Sequence, residues 1–254
     1  MSDLDLANFY SQEKRLSYNP INSIVLKRAG LRKLIAFDDR FDCVSYLLNK
    51  IIKESRKEKL RMLDIGVGDA VYESMVEEDL LSKVDVAGVD ISKEQLKRAK
   101  KYLKVAKVVN LDSQKLPFKK NSFDIVLVSE VLEHVFYPDK VFKEGLRVLA
   151  KGGYFVLTYP NSGALQIRLS LLFSGFSPLL NFSKNKEHIR FFNKTDILSF
   201  LSKDTKIVYY QGLGSFLFAD WNFDRKIFMP RFLEIIGNKY LPQLALGNLL
   251  VFRK

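Results

Sequence analysis

The residues best suited to chemistry stand in one short run, Asp64-Ile65-Gly66-Val67-Gly68-Asp69-Ala70, at the end of an apolar stretch that begins at Leu60. An apolar strand, an acid, two glycines and a small residue ahead of a helical pattern have the order of a nucleotide-binding loop. Glycine lets the chain turn sharply and approach a ligand with no Cβ in between. A second apolar run, Val84–Val89, ends in Asp90, 22 residues after Gly68 (90 − 68). A carboxylate at about that offset, at the tip of the next strand, binds ribose hydroxyls. The nicotinamide fingerprint G-x-G-x-x-G fails, because its last position is Val71. More polar groups follow apolar runs downstream: Asp112 after Val105–Leu111, and Ser129-Glu130-Val131-Leu132-Glu133-His134 after Phe123–Val128. His134 and His188 are the 2 histidines of the chain.

The elements that must position these groups alternate. Leu60–Ile65, Val84–Val89, Val105–Leu111, Phe123–Val128, Tyr154–Tyr159, Lys206–Tyr210 and Leu244–Phe252 read as strands. Helices are expected over Leu31–Lys53, where apolar residues recur at three and four, and over Ala70–Leu81. Ser92-Lys93-Glu94-Gln95 has the letters of a capping box and opens another helix. Pro138–Leu149 and Lys194–Ser202 complete the set, the first with proline in its first turn. Strands alternating with helices across short connections predict an α/β fold, a parallel sheet covered on both faces. Ligands of such sheets sit at the carboxyl ends of the strands, where Gly66, Asp90, Asp112 and Ser129 all fall.

The chain has 254 residues, 47% of them hydrophobic, enough for one α/β domain with an added lid. Cys43 is the single cysteine, which excludes an intrachain disulfide and predicts a reducing, cytoplasmic setting. The acidic start Met1-Ser2-Asp3-Leu4-Asp5 has no apolar signal core, and no run reaches the length of a membrane span. The net charge of +12 points to an anionic partner, nucleic acid or an acidic membrane surface, or to a lysine-rich solvated face.

With these residues in place, a resemblance is evident. Asp64–Ala70 resembles motif I of the class I S-adenosylmethionine-dependent methyltransferases, usually D-x-G-x-G-x-G, with Ala70 for the last glycine. Asp112-Ser113-Gln114-Lys115-Leu116-Pro117-Phe118 is similar to their D-A-x-x-L-P-F segment, and Ser129–Val135 to S-x-V-L-E-H-V. Arg147–Gly153 is similar to R-V-L-K-P-G-G, with Ala150-Lys151 for Lys-Pro. His188-Ile189-Arg190-Phe191-Phe192 is similar to H-x-R-x-F, and Pro242–Lys254 to the closing strand. The resemblance runs from about Leu60 to the C-terminus. It implies a Rossmann-like, doubly wound, seven-stranded, mostly parallel sheet with the last strand antiparallel. It also implies S-adenosylmethionine as cofactor and S-adenosylhomocysteine as product. Residues 59–160 would be the cofactor-binding core, 1–58 a helical cap, 161–192 and 212–240 lid insertions, and 193–254 the remainder.

The resemblance further implies roles. Asp90 and Ile91 would meet the ribose, Asp112 and Ser113 the adenine, and Gly66, Val67 and Gly68 the methionyl part. Ser129 and Glu130 would border the cofactor. Asp64 would orient the methionyl ammonium through water, or only bond the loop amides. His134 would be the general base where the acceptor loses a proton, or only cap the strand-four loop. Glu130–His134 also resembles the E-x-x-E-H of ubiquinone-pathway O-methyltransferases, whose side chains hold a divalent cation. The same letters occur in relatives with no known metal, and no metal is expected here. His188 and Arg190 would line the acceptor pocket or anchor the lid.

Three function classes compete. The leading one is methyl transfer to a small-molecule or lipid-like acceptor. Nucleic-acid methylation is disfavoured: no [DN]-P-P-[YF] follows strand four, Cys43 stands in an N-terminal helix, and no RNA-binding module is visible. A non-catalytic cofactor-binding protein is the third. The apolar run Ala164–Leu180 and the aromatic stretch Phe216–Ile236 are expected to form a lid, flanked by Arg168, Lys184, Lys186 and Arg190. Such a lid would allow peripheral contact with a membrane.

Overall fold

The computed structural model describes residues 40–175, 187–202, 204–214 and 231–254. The expected arm at residues 1–30, the middle of the apolar lid and the aromatic stretch up to residue 230 lie outside the described residues.

The helices and strands follow one another as the alternation predicts. Helix α1 (Arg40–Glu54) leads into β1 (Leu60–Ile65). The short α2 (Glu78–Leu81) precedes β2 (Val84–Asp90), and α3 (Lys93–Ala99) precedes β3 (Val105–Val108). Strand β4 (Phe123–Ser129), α4 (Pro138–Val148) and β5 (Leu149–Pro160) come next. Then follow α5 (Leu165–Ser174), α6 (Lys194–Ser199), β6 (Lys206–Leu213), α7 (Arg231–Tyr240) and β7 (Gly247–Arg253). The sheet has 7 strands in the order β3-β2-β1-β4-β5-β7-β6. Neighbours from β3 to β5 pair in parallel, and β7 runs antiparallel to both β5 and β6. The strand order reverses direction in sequence at β1, between β2 and β4, which is the switch point where such sheets bind ligands.

Alternate residues of β1 supply both faces. Leu63 and Ile65 pack with Val141, Phe142 and Leu146 of α4. Leu60 and Met62 pack with Val44, Leu47, Leu48 and Ile52 of α1. A strand covered on both sides reads as a continuous apolar run, which is why the pattern was visible in the sequence. Each of those fully buried aliphatic side chains contributes about 1.5–3 kcal/mol. Ser92 caps α3 by accepting from the Gln95 amide at 3.3 Å. Asn193 and Asp196 form a reciprocal capping box at α6.

Three boundaries differ from expectation. No continuous helix runs over Ala70–Leu81. A 3-10 turn at Glu73–Met75 and the four-residue α2 take its place, separated by extended backbone at Val76 and Glu77. Tyr72, Val76 and Leu80 are nevertheless all buried against the α1 face, so the helical spacing was real packing made by a broken element. Strand β3 stops at Val108, and Asp112 sits in the following turn. A 3-10 turn at Pro242–Leu244 occupies the expected start of the last strand.

Ala70, at the loop end, has φ 58°, the left-handed region. For a residue with a Cβ that conformation costs roughly 1–2 kcal/mol. Glycine relieves it while giving up the burial of one methyl, about 0.8 kcal/mol. Ala70→Gly is therefore expected to leave the melting temperature unchanged or raise it, by about 2–4 °C per kcal/mol recovered. A scanning-calorimetry fall of more than about 4 °C would contradict the strain at this position.

Candidate active site

The loop after β1 is built by backbone strain that glycine accepts. Gly66 has φ 76° and Gly68 φ 52°. A Cβ on Gly66 would meet Val131 Cγ2 at 2.4 Å, so nothing larger fits there. A Cβ on Gly68 would meet nothing nearer than Gln95 Oε1 at 3.9 Å, so that side of the loop faces open space. The side chain of Val67 turns away into a small core with Ala70, Leu96 and Ala99, leaving its backbone to the site.

Asp90 ends β2 and is 8% exposed. The Gly68 amide donates to its Oδ2 at 2.9 Å and the Ser92 amide to its Oδ1 at 2.8 Å. Asp90 thus clamps the glycine loop to the start of α3. A carboxylate has about four acceptor positions, so two remain for ribose hydroxyls. Ile91 follows it, half-buried. Asp112 lies across the site on its turn, its Oδ1 accepting from the Phe136 amide at 2.7 Å and the Tyr137 amide at 3.2 Å. It ties the turn after β3 to the loop after β4, a structural duty beside the expected adenine contact. Ser113 next to it is exposed.

At the ends of β4 and β5 a polar chain crosses the sheet. The Tyr72 hydroxyl is 2.6 Å from Ser129 Oγ, which is 2.8 Å from Thr158 Oγ1. Thr158 donates to Glu130 Oε1 at 3.0 Å, and Arg40 Nη1 pairs with Glu130 Oε2 at 2.9 Å. Glu130 itself has φ 54°, a left-handed residue at a functional edge. Burial pushes the Tyr72 phenol up, so it stays protonated.

Two buried acids border this chain. Asp64 and Glu73 face one another, both 2% exposed. Burial, then the Glu73 charge, raises Asp64 well above the carboxylate range, and burial pushes Glu73 up to about 7. Neither oxygen of Glu73 or of Glu133 meets a hydrogen-bond donor among the described residues. Burial and the nearby Glu130 raise Glu133 likewise.

His134 Nδ1 lies 3.1 Å from the Glu187 carbonyl, which fixes the proton on that nitrogen. Its Nε2 then faces Glu133 Oε1 at 3.8 Å. Burial, with His188 beside it, lowers His134 to about 4, so the ring is neutral at pH 7. The His134 and His188 rings stand edge to face, 4.9 Å between centroids. Glu133, His134 and His188 each present a ligand atom within 4.8 Å of the others. The three side chains lie close enough together that they could hold a metal ion. Arg190 donates to the Phe136 carbonyl at 3.2 Å, which anchors its segment to the loop after β4.

The structure therefore brings Asp64, Gly66, Val67, Gly68, Asp90, Ser129, Glu130 and His134 to the carboxyl ends of β1, β2 and β4, as the sequence places them. Tyr72, Glu73, Thr158 and Arg40 join them without having been singled out. Thr158 left one signal, a polar residue in an apolar strand, and the register sets it opposite Ser129.

The fold is the Rossmann-like one found in solved S-adenosylmethionine-dependent methyltransferases. Residues 63–157 match the methyltransferase domain family. A ubiquinone biosynthesis O-methyltransferase of Candida albicans is 32% identical over 154 residues, 57% of this chain and 43% of that protein. An uncharacterised protein of Methanocaldococcus jannaschii is 36% identical over 116 residues, 43% of this chain and 52% of that one. The chain thus spans about half the length of the curated relatives it matches. A solved S-adenosylmethionine-dependent methyltransferase of Archaeoglobus fulgidus has the same fold, with TM-score 0.54 and 17% identity over 90% of this chain and 99% of that one. S-adenosylmethionine would fit the residues present: an open glycine cradle with Asp90 and further carboxylates beside it.

Two outcomes are expected. Gly68→Val fills the cradle and adds strain, so cofactor binding is lost in calorimetry, whereas Asp90→Ala weakens it on the order of 10–100-fold. Unchanged affinity in either variant would move the ligand elsewhere. The second concerns pH. Glu73 is raised in the folded state, so the fold binds more protons than the unfolded chain above the ordinary carboxylate range. Its stabilising contribution is then lost as pH rises toward and through about 7. Glu73→Gln supplies Asp64 with an amide donor and removes that dependence. The variant should gain on wild type between about pH 6 and 8, by roughly 1–2 kcal/mol, or about 2–8 °C. Parallel melting curves against pH would refute the buried acid pair.

Proposed function

We propose that this chain transfers the methyl group of S-adenosylmethionine to a small hydrophobic or lipid-like acceptor. The observation that carries the methyltransferase reading is the glycine cradle set beside buried carboxylates with no described donor. A cation of nucleoside shape is the ligand such a site lacks. When bound, the cofactor supplies an electrophilic methyl on a sulfonium.

The protein's work is then mostly positioning. The Gly66–Gly68 backbone would hold the amino-acid end, Asp90 the ribose, and Asp112 and Ser113 the adenine. The cofactor would supply the methyl electrophile, its sulfur keeping the S–C bonding pair as the acceptor lone pair takes the carbon. Alignment of the two supplies the larger share of the rate. His134 is neutral, and a hydroxyl acceptor becomes strongly acidic as its oxygen takes a third substituent. A weak base suffices at that moment, and Nε2 takes the proton.

A hydrophobic acceptor is supported by α5. Of its apolar residues, Leu165, Ile167, Leu169, Leu171, Leu172 and Phe173, only Ile167 is buried. Leu172 and Phe173 are 74% and 81% exposed. Phe136 and Tyr137, on the loop that bears the site, are exposed as well. An apolar surface of this kind fits an apolar acceptor or a membrane face carrying it. Relatives named for ubiquinone, menaquinone and sterol methylation point the same way. Arg168 and Arg190 would face anionic headgroups, each contributing about 1 kcal/mol. No helix of the described residues is long and apolar enough to cross a membrane. We place the protein in the cytoplasm, in peripheral contact with the bilayer, as one domain.

The test is transfer of radiolabelled methyl from S-adenosylmethionine to lipid-extract and water-soluble metabolite fractions. Label in the lipid fraction is expected; label confined to the soluble fraction would overturn the acceptor class. His134→Gln should lower kcat roughly 10²–10⁴-fold with cofactor affinity unchanged. Wild-type turnover in that variant would remove His134 from the chemistry. Leu172→Glu with Phe173→Glu should abolish sedimentation with anionic liposomes while leaving cofactor binding intact.

A further inference from the structure

The carboxyl ends of the strands carry acids, and the opposite edge of the sheet carries a cluster of the other sign. Three pieces of chain meet there. Lys119-Lys120-Asn121 leads into β4. In β5, Leu149 pairs with Phe123 and Tyr154 with Ile125, so Ala150–Gly153 bulges opposite Asp124 and carries Lys151 at its tip. Strand β7 runs antiparallel to β5, so its end, Arg253-Lys254, returns to the same place. Backbone bonds lock the three together. The Gly152 amide donates to the Lys254 carbonyl at 2.6 Å, and the Lys254 amide to the Gly153 carbonyl at 3.2 Å. The Asn121 amide donates to the Arg147 carbonyl of α4 at 3.0 Å.

The cations of this cluster are held by groups that leave their charge standing. Lys254 Nζ donates to Asn121 Oδ1 at 2.9 Å and to the carbonyls of Leu146 at 2.8 Å and Leu149 at 2.7 Å. An ammonium has three donors, and here all of them go to uncharged acceptors. Arg253 Nε donates to the Gly152 carbonyl at 3.3 Å, and its guanidinium lies 5.4 Å from the centre of the Tyr154 ring. A carbonyl or a ring face fixes a cation without cancelling it. Lys119, Lys120 and Lys151 stand exposed beside them. Among the described residues no carboxylate pairs with these five side chains. The acids nearest in sequence are engaged elsewhere, Asp124 by Lys57 and Glu144 by Arg147. Burial, then the charges of Lys120 and Lys151, lowers Lys254 below the usual lysine range, so the cations feel one another. On an ordinary solvated face lysines pair with acids of their own helix, as Lys143 does with Asp139.

Gathered like charges of this kind attract an anionic partner. None of the exposed large apolar side chains of the described residues lies in the three pieces, so they lack the apolar centre of a protein–protein contact. On the reading given under Proposed function, a bilayer meets α5 and Phe136 at the carboxyl ends of the strands. Gly153–Pro160 of β5 puts about 25 Å between those ends and the cluster, at about 3.3 Å per residue. That is roughly three Debye lengths at physiological salt. A polar, strongly positive surface is what a nucleic acid takes. Lysines dominate it, and an ammonium is a point charge that reads phosphate and not base edges.

We propose that Lys119, Lys120, Lys151, Arg253 and Lys254 form a sequence-independent docking surface for the phosphate backbone of a nucleic acid. The surface faces away from the candidate active site. The bound strand therefore tethers the protein and is not its methyl acceptor.

Fluorescence anisotropy on the full chain tests this, with a labelled RNA of about 20 nucleotides and a DNA duplex of about 20 base pairs, each titrated at about 50–200 mM salt. Both probes are expected to bind at the low end of that range, in any sequence, and to weaken steeply as salt rises. Lys120→Glu with Lys151→Glu should weaken both at least about 10-fold and reduce the salt slope by about 2, one for each phosphate contact. Lys50→Glu with Lys97→Glu makes the same change in net charge on α1 and α3 and should leave the slope as it is. Lys120→Gln with Lys151→Gln, which adds no acid, repeats the test should the reversed pair not fold. Failure of wild type to bind either probe at low salt would overturn the proposal. Equal weakening by the two reversed pairs would also overturn it, leaving an effect of net charge alone. Sedimentation with phosphatidylserine vesicles that Lys120→Glu with Lys151→Glu abolishes, while nucleic-acid binding stays unchanged, would give the surface to a bilayer and refute a nucleic-acid partner.

Discussion

Acids gathered with little counter-charge at one end of the sheet are the constraint on which the rest of this structure turns. Asp64, Glu73, Asp90, Glu130 and Glu133 converge at the carboxyl ends of β1, β2 and β4, most of them deeply buried. Burying ionised carboxylates is costly unless each finds a donor, a cation or a proton. The chain solves the problem differently at each position. Backbone amides satisfy Asp90, and Arg40 satisfies Glu130. Glu73 and Glu133 are left to protons, and to whatever cation the site takes. A protein with a net charge of +12 has thus gathered these acids at one edge of its sheet.

This division also explains what the sequence disclosed. The centre of the sheet was legible because both faces of β1, β2 and β4 are buried, so each is a mostly apolar run that leads into a residue of the candidate site. Gly66, Gly68 and Asp90 were legible because their spacing follows from the length of one strand–loop–helix–strand unit. The segment after the loop was not. Tyr72, Val76 and Leu80 recur at four, which is the period of a helix, and they do share one buried face. The backbone between them breaks at Val76 and Glu77, for which side-chain periodicity carries no signal. Glu73 was hidden for the same reason. In a regular helix it reads as a solvated position, and only the 3-10 turn drives it inward.

Asp112 shows the limit from the other direction. Its place in a familiar segment marks it as a ligand contact, and the structure adds that it holds two backbone amides of the neighbouring loop. A residue of this kind cannot be varied for specificity without loosening the loop that bears His134. Asp90 has the same double duty through Gly68. The strand tips are thus defended twice, by what they bind and by what they fasten.

The hydroxyl chain from Tyr72 to Glu130 has a direction. Thr158 must donate to the carboxylate, since an ionised carboxylate only accepts. Its oxygen is then the acceptor for Ser129, and the oxygen of Ser129 the acceptor for Tyr72. Three hydrogens on three elements all point one way, and the orientation is set by one anion at the far end. The dipoles of this row add to one another, so the ion pair that Arg40 makes on the first described helix is felt, as polarity, at the base of the glycine loop.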